Sequence, residues 1–354
     1  MTRPRIAIAH DYLTQRGGAE RVVLSMAKAF PDAAIYTTLY DPEGTYPEFA
    51  DLNIITSGLN RVPLLRRKHR LALPFLASAS NHMFVDADLI IASSSGWAHG
   101  FAGTGKRLVY CYSPARWLYL TTSYLGDKGH LSVSGMALSL LRPLLIRWDK
   151  SKAEQATQYL AISTVVRQRI HDVYGIEAPI LAAPLSLDSD RSTEPVDELL
   201  DWADGSFHLV VSRLLPYKNV VAVIEAVAGT SQRLVIIGRG PLEDQIRKDL
   251  PINVRLLGGI SDAQLRWVYQ HALSLIAPSF EDFGLSPLEA GSYGKPTVAL
   301  RQGGYLDTVV EGTTGVFFEE PTPAAIRAGI EEVMARDWDP ESIAEHVGQF
   351  SETH

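Results

Sequence analysis

APSFEDFGLSPLEA, residues 277–290, joins a predicted strand to a predicted helix. The apolar run 273–277 before it indicates a buried strand. Ser286 is a favoured N-cap residue, Pro287 suits the first helical position, and Glu289 follows three residues after the cap, so a helix is predicted to begin here. A helix N-terminus beside a glycine is typical of an anion site. The anion would meet three consecutive backbone amides, those of Phe283, Gly284 and Leu285.

Both glutamates of this stretch also have ordinary structural interpretations. Glu289 is placed to close a capping box with Ser286, and Glu281 could be a solvated loop acid. The stretch nevertheless resembles the Glu-x7-Glu signature of a large family of retaining glycosyltransferases, family 4, which have the GT-B fold. The resemblance implies that Glu281 lies beside the donor sugar and that Glu289 holds the ribose of the nucleotide.

The composition is that of a cytosolic globular protein. A chain of 354 residues with 46% hydrophobic and 21% charged residues has room for two domains. A net charge of -7 disfavours nucleic-acid binding through bulk charge, and the single cysteine, Cys111, cannot form an internal disulfide. The chain begins directly with a predicted strand and has no apolar run of the ~20 residues that a membrane span needs. We expect a cytoplasmic protein, and peripheral attachment to the inner face of the cell membrane stays open.

Strands and helices alternate in two similar series along the chain. This pattern predicts an α/β fold with two Rossmann-like doubly wound domains that face each other across a cleft. We place the acceptor-side domain at residues 1–185, a Pro-, Ser- and Asp-rich linker at 186–206, and the donor domain at 207–354. Residues 349–354 resemble the start of the closing helix of the family, so we expect a truncated or naturally short C-terminus with weakened domain closure.

Gly17 and Gly18 follow the first predicted strand and precede a helix. Paired glycines let a backbone approach a ligand closely, but the loop lacks the full dinucleotide fingerprint, and a plain tight turn is the alternative. The stretch 10–22 resembles the opening of many family 4 members. That resemblance implies that Gly17 and Gly18 face the donor phosphates.

His99 lies in the loop 93–100, at the carboxyl end of the predicted strand 88–92. Ligands of doubly wound sheets bind at this end, and histidine titrates near neutral pH, although a structural or solvated histidine is the alternative. The loop resembles one that borders the acceptor in the family. We therefore treat His99 as a candidate catalytic residue that would meet a substrate hydroxyl.

Arg116 ends the loop 113–116, which also resembles a loop of the family. With the neighbouring Trp117 and Tyr119, it is a candidate for an acceptor groove, because aromatic faces suit sugar rings and lipid tails. Packing between the domains is the alternative for all three residues.

The segment Arg61–Arg70 concentrates positive charge in an acidic protein. Leucines are interleaved with the charges, and such a segment can lie on an anionic lipid surface. A solvated helix with one buried face is the alternative.

Arg213 and Lys218 follow the first predicted strand of the second half. Arginine binds phosphate oxygens in a bidentate manner and lysine acts as a point charge, so the pair suits a diphosphate, although two exposed cations is the alternative. The stretch resembles the Gly-Arg-Leu-x3-Lys-Asn motif of the family, with Ser212 in place of glycine. The resemblance further implies that Gly238 and Ile260 border the nucleoside.

These patterns together predict a retaining transferase that moves a hexose from a nucleotide-diphospho-sugar to a glycan or lipid-linked acceptor. The start of the chain resembles mannosyl-type transferases of polysaccharide assembly, which suggests GDP-mannose. We predict no cofactor and no metal, because the cations of the donor site can replace one. A nucleotide-sugar epimerase of the same architecture and a non-catalytic sugar-nucleotide binding protein are the alternatives.

Overall fold

The computed structural model describes residues 4–119, 133–185, 191–202 and 204–354, with the backbone alone for Arg70 and 133–139. The chain forms two compact units, Met1–Ala183 and Pro184–His354. The change from one unit to the next falls two residues before the predicted domain end at 185.

The predicted linker 186–206 is described only in part, and residues 186–190 lie outside the described residues. Asp197–Trp202 forms a 3₁₀ helix whose Leu199 and Trp202 are buried in the core of the second unit. Although the predicted linker is mostly polar, these two apolar side chains attach the segment to the second unit.

The first unit is built on a parallel sheet of six strands in the order β3-β2-β1-β5-β7-β8. Its central strands are apolar on both faces, as strands covered by helices on both sides are expected to be. Ile8 of β1, for example, is fully buried between Ile35 of β2 and Ile91 of β5. The strands of the unit are β1 (Ile6–His10), β2 (Ala34–Thr37), β3 (Ile54–Thr56), β4 (Phe84–Val85), β5 (Leu89–Ser94), β6 (Ala102–Gly103), β7 (Lys106–Cys111) and β8 (Gln158–Ala161), with β4 and β6 in a separate pair.

The described α-helices of the first unit are α1 (Gly18–Ala29), α2 (Pro63–Arg67), α3 (Leu73–His82), α4 (Arg116–Tyr119), α5 (Val133–Glu154) and α6 (Thr164–Tyr174). Helix α6 has strong end signals, since the Ser163 side chain caps its first turn and Gly175 takes a left-handed conformation at its end. Short 3₁₀ turns lie at Gly58–Arg61, His69–Ala72 and Ala98–Gly100.

The second unit repeats the plan with a parallel sheet in the order β11-β10-β9-β12-β13-β14. Its strands are β9 (Phe207–Val211), β10 (Arg233–Ile237), β11 (Val254–Leu257), β12 (Ala272–Ala277), β13 (Thr297–Leu300) and β14 (Gly315–Phe318). Its described α-helices are α7 (Val220–Val227), α8 (Glu243–Lys248), α9 (Asp262–His271), α10 (Leu285–Gly291), α11 (Tyr305–Thr308), α12 (Pro323–Met334) and α13 (Pro340–Gly348).

Both sheets have the same topology when their strands are counted along the chain. In each, the third, second and first strands are followed by the fourth, fifth and sixth, which is the doubly wound order. The predicted α/β fold is therefore confirmed in both units. The direction of winding reverses between β1 and β5 in the first unit and between β9 and β12 in the second, and loops at these switch points are where such sheets bind ligands.

Candidate active site

Two loops of the second unit meet at its switch point. Lys218 ends the 3₁₀ turn Pro216–Lys218 after β9, and Glu281 lies in the loop after β12. The Lys218 ammonium is buried and donates a hydrogen bond to Glu281 Oε1, which also accepts one from Ser279 Oγ at 2.8 Å. The lysine predicted to bind diphosphate and the acid predicted beside the sugar are therefore in direct contact.

Asn219 fixes the lysine in this position. Its φ is 54°, and among the described residues it is the only non-glycine with a positive φ. Asparagine tolerates this left-handed region better than most residues. Its Nδ2 donates to the Pro278 carbonyl at 2.9 Å, which ties the end of the Lys218 turn to the loop that carries Glu281.

Arg213 lies on the same loop as Lys218, with its side chain exposed. This loop packs against the one after β10, where a Cβ on Gly238 would lie 1.8 Å from the Ser212 carbonyl oxygen. A Cβ on Gly240 would lie 2.4 Å from the Leu214 carbonyl oxygen. Only glycine fits at either position, so Gly238, which we predicted to border the nucleoside, also has a packing role in placing the Arg213 loop.

The turn Phe283–Leu285 depends on close backbone packing. Gly284 has a φ of 96° and is the N-cap of α10, so the helix begins before Ser286, which we had predicted as the cap. The left-handed turn at the glycine brings the chain into the helix two residues early. A Cβ on Gly284 would lie 2.6 Å from the Tyr305 ring, and a Cβ on Gly304 would lie 2.3 Å from Phe283 Cα. The loops after β12 and β13 thus press together at the carboxyl edge of the sheet.

Glu289 is half-buried on α10 and contacts Tyr269 of α9. Its Oε2 accepts a hydrogen bond from the Tyr269 hydroxyl at 2.7 Å. Burial, reinforced by the nearby Glu289 charge, raises the pKa of Tyr269 well above its ordinary value, so the phenol keeps its proton. The capping box predicted for Glu289 is wrong, because the helix begins at Leu285 and places Glu289 beyond the capping position.

Ile260 is half-buried in the turn after β11. The next residue, Ser261, forms a capping box with Gln264, in which each side chain accepts a hydrogen bond from the backbone amide of the other residue. The Arg239 side chain lies across the same turn, since a Cβ on Gly259 would meet its guanidinium at 2.1 Å. Ile260 therefore lies at the carboxyl edge of the sheet, close to an exposed cation.

His99 occupies a buried cluster of the first unit. The residue is 2% exposed, with Nε2 3.1 Å from Asp149 Oδ1 and Nδ1 3.4 Å from Ser94 Oγ. Asp149 Oδ2 accepts hydrogen bonds from the hydroxyls of Tyr119 at 2.7 Å and Tyr174 at 2.8 Å. Burial, followed by the Asp149 charge, raises the pKa of both tyrosines. The imidazole thus faces Asp149, and no open surface of the residue is available to the substrate hydroxyl that we had predicted.

Two family models divide the chain between them. Glycosyltransferase Family 4 matches residues 16–191, and Glycosyl transferases group 1 matches residues 200–349. The first model covers most of the unit Met1–Ala183 and extends to residue 191, and the second lies within Pro184–His354. The chain belongs to the GT-B glycosyltransferases.

Solved structures of low sequence identity share the fold of this glycosyltransferase over its whole length. Anabaena Alr3699/HepE, solved in complex with UDP, has a TM-score of 0.69 at 18% identity and covers 99% of this chain and 96% of its own. A sucrose-phosphate synthase from Thermosynechococcus elongatus has a TM-score of 0.65 at 18% identity, covering 98% and 95%.

Curated relatives match a smaller part. The D-rhamnosyltransferase WbpZ of Pseudomonas aeruginosa is 28% identical over 232 residues, which is 61% of this chain and 58% of the relative. The glycogen synthase of Pseudomonas putida is 33% identical over 153 residues, 40% of this chain and 29% of the relative. The chain thus spans less than two thirds of the length of these two curated relatives.

The loop after β5 is held by a buried carboxylate that we did not single out from the sequence. Asp11 follows β1 and accepts hydrogen bonds from the amides of Ser95, Trp97 and Ala98 at 2.5, 2.6 and 2.6 Å, and from Ser95 Oγ at 2.9 Å. It therefore holds the loop after β5, which leads to His99.

Gly17 and Gly18 lie at the start of α1, with Gly17 as its N-cap. Gly17 has an extended backbone that any residue could adopt, but a Cβ there would lie 2.6 Å from a carboxylate oxygen of Glu20. Their contact with donor phosphates stays a prediction.

Arg116 is half-buried at the start of α4. The residues after it pack inward, since Trp117 is buried with its ring centroid 4.3 Å from that of Trp97, and Tyr119 bonds Asp149. Trp117 and Tyr119 therefore make contacts within the first unit, and Arg116 remains the candidate for the acceptor.

The basic segment Arg61–Arg70 bends through a 3₁₀ turn, α2 and a second 3₁₀ turn. Several apolar side chains in and after it are exposed, among them Leu64 at 57% and Phe75 at 54%. Leu65, Leu73 and Leu76 pack on a buried cluster of the first unit, as the solvated-helix alternative predicts, whereas Leu64 and Phe75 do not.

Neither a metal cluster nor a spanning helix is found in the part of the chain that the structure describes. No group of three or more His, Cys, Asp or Glu side chains in this part could hold a metal ion. No helix in this part has both the length and the apolarity needed to cross a bilayer.

Proposed function

We propose that this glycosyltransferase transfers a hexose from a nucleotide-diphospho-sugar to a hydroxyl of a glycan or lipid-linked acceptor, with retention of the anomeric configuration. The observation that carries the proposal is the contact between Lys218 and Glu281, which come from neighbouring loops at the switch point of the second sheet. A buried cation beside a carboxylate can exchange that partner for the phosphate of a donor, and the carboxylate is then available to the sugar hydroxyls.

The leaving diphosphate carries the charge that develops during transfer. Lys218, the exposed Arg213 and the amides of Phe283–Leu285 are the groups proposed to stabilise it, each contributing roughly 3–4 kcal/mol in a site that excludes water. The bond between the anomeric carbon and the diphosphate breaks while the acceptor oxygen bonds to that carbon. The acceptor proton passes to a leaving phosphate oxygen, so the products are a glycoside and a nucleoside diphosphate.

Glu289 is proposed to hold the ribose, and Gly238 and Ile260 to border the base. All three residues belong to the carboxyl edge of the second sheet. Gly17 and Gly18 remain proposed contacts of the donor phosphates, and Arg116 a proposed contact of the acceptor. We propose no cofactor and no metal.

His99 is proposed to act on the acceptor side by positioning and not by touching the substrate. Its imidazole, together with Tyr119 and Tyr174, surrounds Asp149, and these four residues come from four separate segments of the first unit. Such a cluster keeps the loop after β5 and the short helix α4 in fixed positions. This is a more modest role than the direct catalysis that we predicted from the sequence.

We favour GDP-mannose and a place in polysaccharide or glycolipid synthesis, on the resemblance of the first strands to mannosyl-type transferases. Structural neighbours offer an alternative, since HepE was solved with UDP, UDP and glucose, and UDP-glucose. Thermal shifts with GDP-mannose, UDP-glucose and ADP-glucose should show one clearly preferred nucleotide-sugar.

Incubation of the preferred donor with and without candidate acceptors then tests the reaction. Transfer predicts that free nucleoside diphosphate accumulates with an acceptor and far more slowly without one. Isomerised donor in the absence of acceptor would instead support an epimerase. Binding without any turnover across an acceptor panel would support a sugar-nucleotide binding protein.

We also propose that the first unit docks on an anionic bilayer from the cytoplasmic side. The exposed side chains of Leu64 and Phe75 accompany the basic residues Arg61, Arg67 and Lys68. In a protein of net charge -7, this local group of cations would attract anionic lipid headgroups, and the apolar side chains would be buried in the bilayer interface. Lipid-linked acceptors would be met at that surface.

A further inference from the structure

Tyr269 is a buried tyrosine that the proposed reaction does not yet use. It lies on α9, is fully buried, and stacks against Tyr293 with parallel rings 6.0 Å apart. Its hydroxyl is directed at Glu289 Oε2, 2.7 Å away on α10. The phenol thus joins two neighbouring helices by a hydrogen bond.

The contact has the geometry needed to orient a carboxylate. A hydrogen bond from a hydroxyl to an ionised carboxylate is strong and typically about 2.5–2.7 Å long. The distance of 2.7 Å between the Tyr269 hydroxyl and Glu289 Oε2 agrees with this. A carboxylate offers about four acceptor positions, and the bond from Tyr269 uses one of them and restricts the rotation of the carboxylate. Burial keeps the phenol protonated, so the donor is present over the whole physiological pH range.

A flexible glutamate at the same place would bind ribose less well. Glutamate loses considerable side-chain entropy when it is fixed, and this cost is met during folding if a rigid partner already holds it. Tyr269 is such a partner, because its side chain is fully buried and its ring stacks on that of Tyr293.

We propose that Tyr269 is a positioning residue for nucleotide recognition, which fixes Glu289 so that its carboxylate accepts the ribose hydroxyls of the donor. This proposal rests on the proposed function, since it takes the ribose contact of Glu289 from there. It adds a residue from a different helix, 20 positions earlier in the chain, to the nucleotide site.

The proposal is tested by removing the Tyr269 hydroxyl from the protein and the 2′-hydroxyl from the nucleotide, separately and together. The dissociation constants of GDP, UDP and ADP and of their 2′-deoxy forms are measured by titration calorimetry for the wild type and for Tyr269→Phe. We expect the wild type to prefer the ribose form of its best ligand, and Tyr269→Phe to reduce that preference by roughly three- to tenfold. In turnover, KM for the donor should rise by a similar factor while kcat changes little.

Tyr110→Phe is the matched control. It removes the hydroxyl of another buried tyrosine, which donates to the Leu181 carbonyl at 3.0 Å in the first unit. It should lower thermal stability and leave the ribose preference as in the wild type.

The outcomes separate this proposal from the function on which it rests. A ribose preference that is equal in the wild type and in Tyr269→Phe would overturn the positioning role and leave the glycosyltransferase function intact. A wild type that binds ribose and deoxyribose forms equally would remove the ribose role of Glu289 and the proposal with it. If Tyr269→Phe does not fold, p-aminophenylalanine at position 269 keeps a weaker donor and should give an intermediate preference, and an unchanged preference would again overturn the proposal.

Discussion

The two sheets have the same strand order, but their switch points are closed in different ways. In the first unit, Asp11 accepts four hydrogen bonds from the loop after β5, three of them from backbone amides. In the second unit, Lys218 and Glu281 form an ion pair between side chains of the two loops. One junction is a fixed hydrogen-bonded turn, and the other is a pair of opposite charges.

This difference indicates which junction can accept a charged ligand. Backbone amides that are already paired with a buried carboxylate have little to gain from another anion. A lysine paired with a carboxylate can exchange it for a phosphate at small net cost, because the new partner also carries negative charge. The same topology thus supports a structural junction in one unit and a proposed donor site in the other.

Removal of the structural junction should have the largest effect. Asp11→Ala leaves the amides of Trp97 and Ala98 buried without their acceptor, and each orphaned amide costs about 1–3 kcal/mol. We expect the free energy of unfolding of the first unit to fall by about 3–5 kcal/mol. Hydrogen exchange should rise in peptides from β1 and β5 and stay unchanged in peptides from β9 and β12.

Asp86→Ala is the control for this experiment. Asp86 pairs with Arg5 at 2.9 Å, but its side chain is 70% exposed, and surface pairs of this kind contribute little. Equal protection of β5 in the Asp11 and Asp86 variants would show that the four hydrogen bonds do not hold the first junction.

The surfaces of the two units provide the next contrast. Leu64→Ser with Phe75→Ser removes two exposed apolar anchors from the basic surface of the first unit. Partitioning onto vesicles that contain phosphatidylglycerol should weaken by about tenfold, in line with the apolar area lost. Met334→Ser, at a 46% exposed position of the second unit, is the matched control and should bind like the wild type.

Vesicle sedimentation distinguishes the outcomes. Neutral phosphatidylcholine vesicles should bind the wild type weakly, because the cations then lack their partner. If the double serine variant sediments with anionic vesicles as fully as the wild type, the surface is not a membrane contact.

A smaller effect concerns two buried histidines, one on the first strand of each sheet. The Nδ1 atom of His10 lies within hydrogen-bond distance of Ser93 Oγ, and that of His208 lies within hydrogen-bond distance of Ser274 Oγ. Burial lowers the pKa of both from the ordinary 6.5. Below pH 6.5 the unfolded chain therefore binds more protons than the folded one, so stability is lost as the pH falls through this value.

Each histidine should contribute up to about 1.4 kcal/mol of lost stability per pH unit below that point. Urea unfolding of the wild type and of the double variant His10→Asn, His208→Asn between pH 7.5 and 5 measures it. The free energy of unfolding should vary less with pH in the double variant than in the wild type. Identical slopes in the two proteins would show that these histidines do not cause the loss of stability.

The fold was predictable from the sequence because its signals are local. Short apolar runs, each followed by a glycine or capping residue and a helix, recur along the chain, and loops at the carboxyl ends of strands could be assigned from order alone. Arg213, Lys218 and Glu281 belong to such loops. Errors came where a left-handed glycine changed a boundary, as Gly284 did for the start of α10.

Contacts between distant residues were not predictable. His99 and Asp149 are 50 positions apart, and Asp149 lies on a helix whose sequence contains several other charges. Tyr269 and Glu289 likewise lie on different helices, and neither helix has a pattern that specifies the other. Asp11 was visible beside the glycine loop, but its four partners depend on the shape of a loop far along the chain.

The affinity of the protein for nucleoside diphosphates relative to monophosphates tests the central claim most directly. Separate calorimetric titrations with GDP, GMP, UDP and UMP give this ratio for the wild type, Lys218→Ala and Lys248→Ala. Lys248→Ala is the control, because it removes an exposed lysine of α8. If Lys218 leaves Glu281 to hold the diphosphate, the wild type and Lys248→Ala should prefer the diphosphate by about tenfold or more, and Lys218→Ala should lose most of that preference. An equal preference in all three proteins would show that the diphosphate does not bind at Lys218.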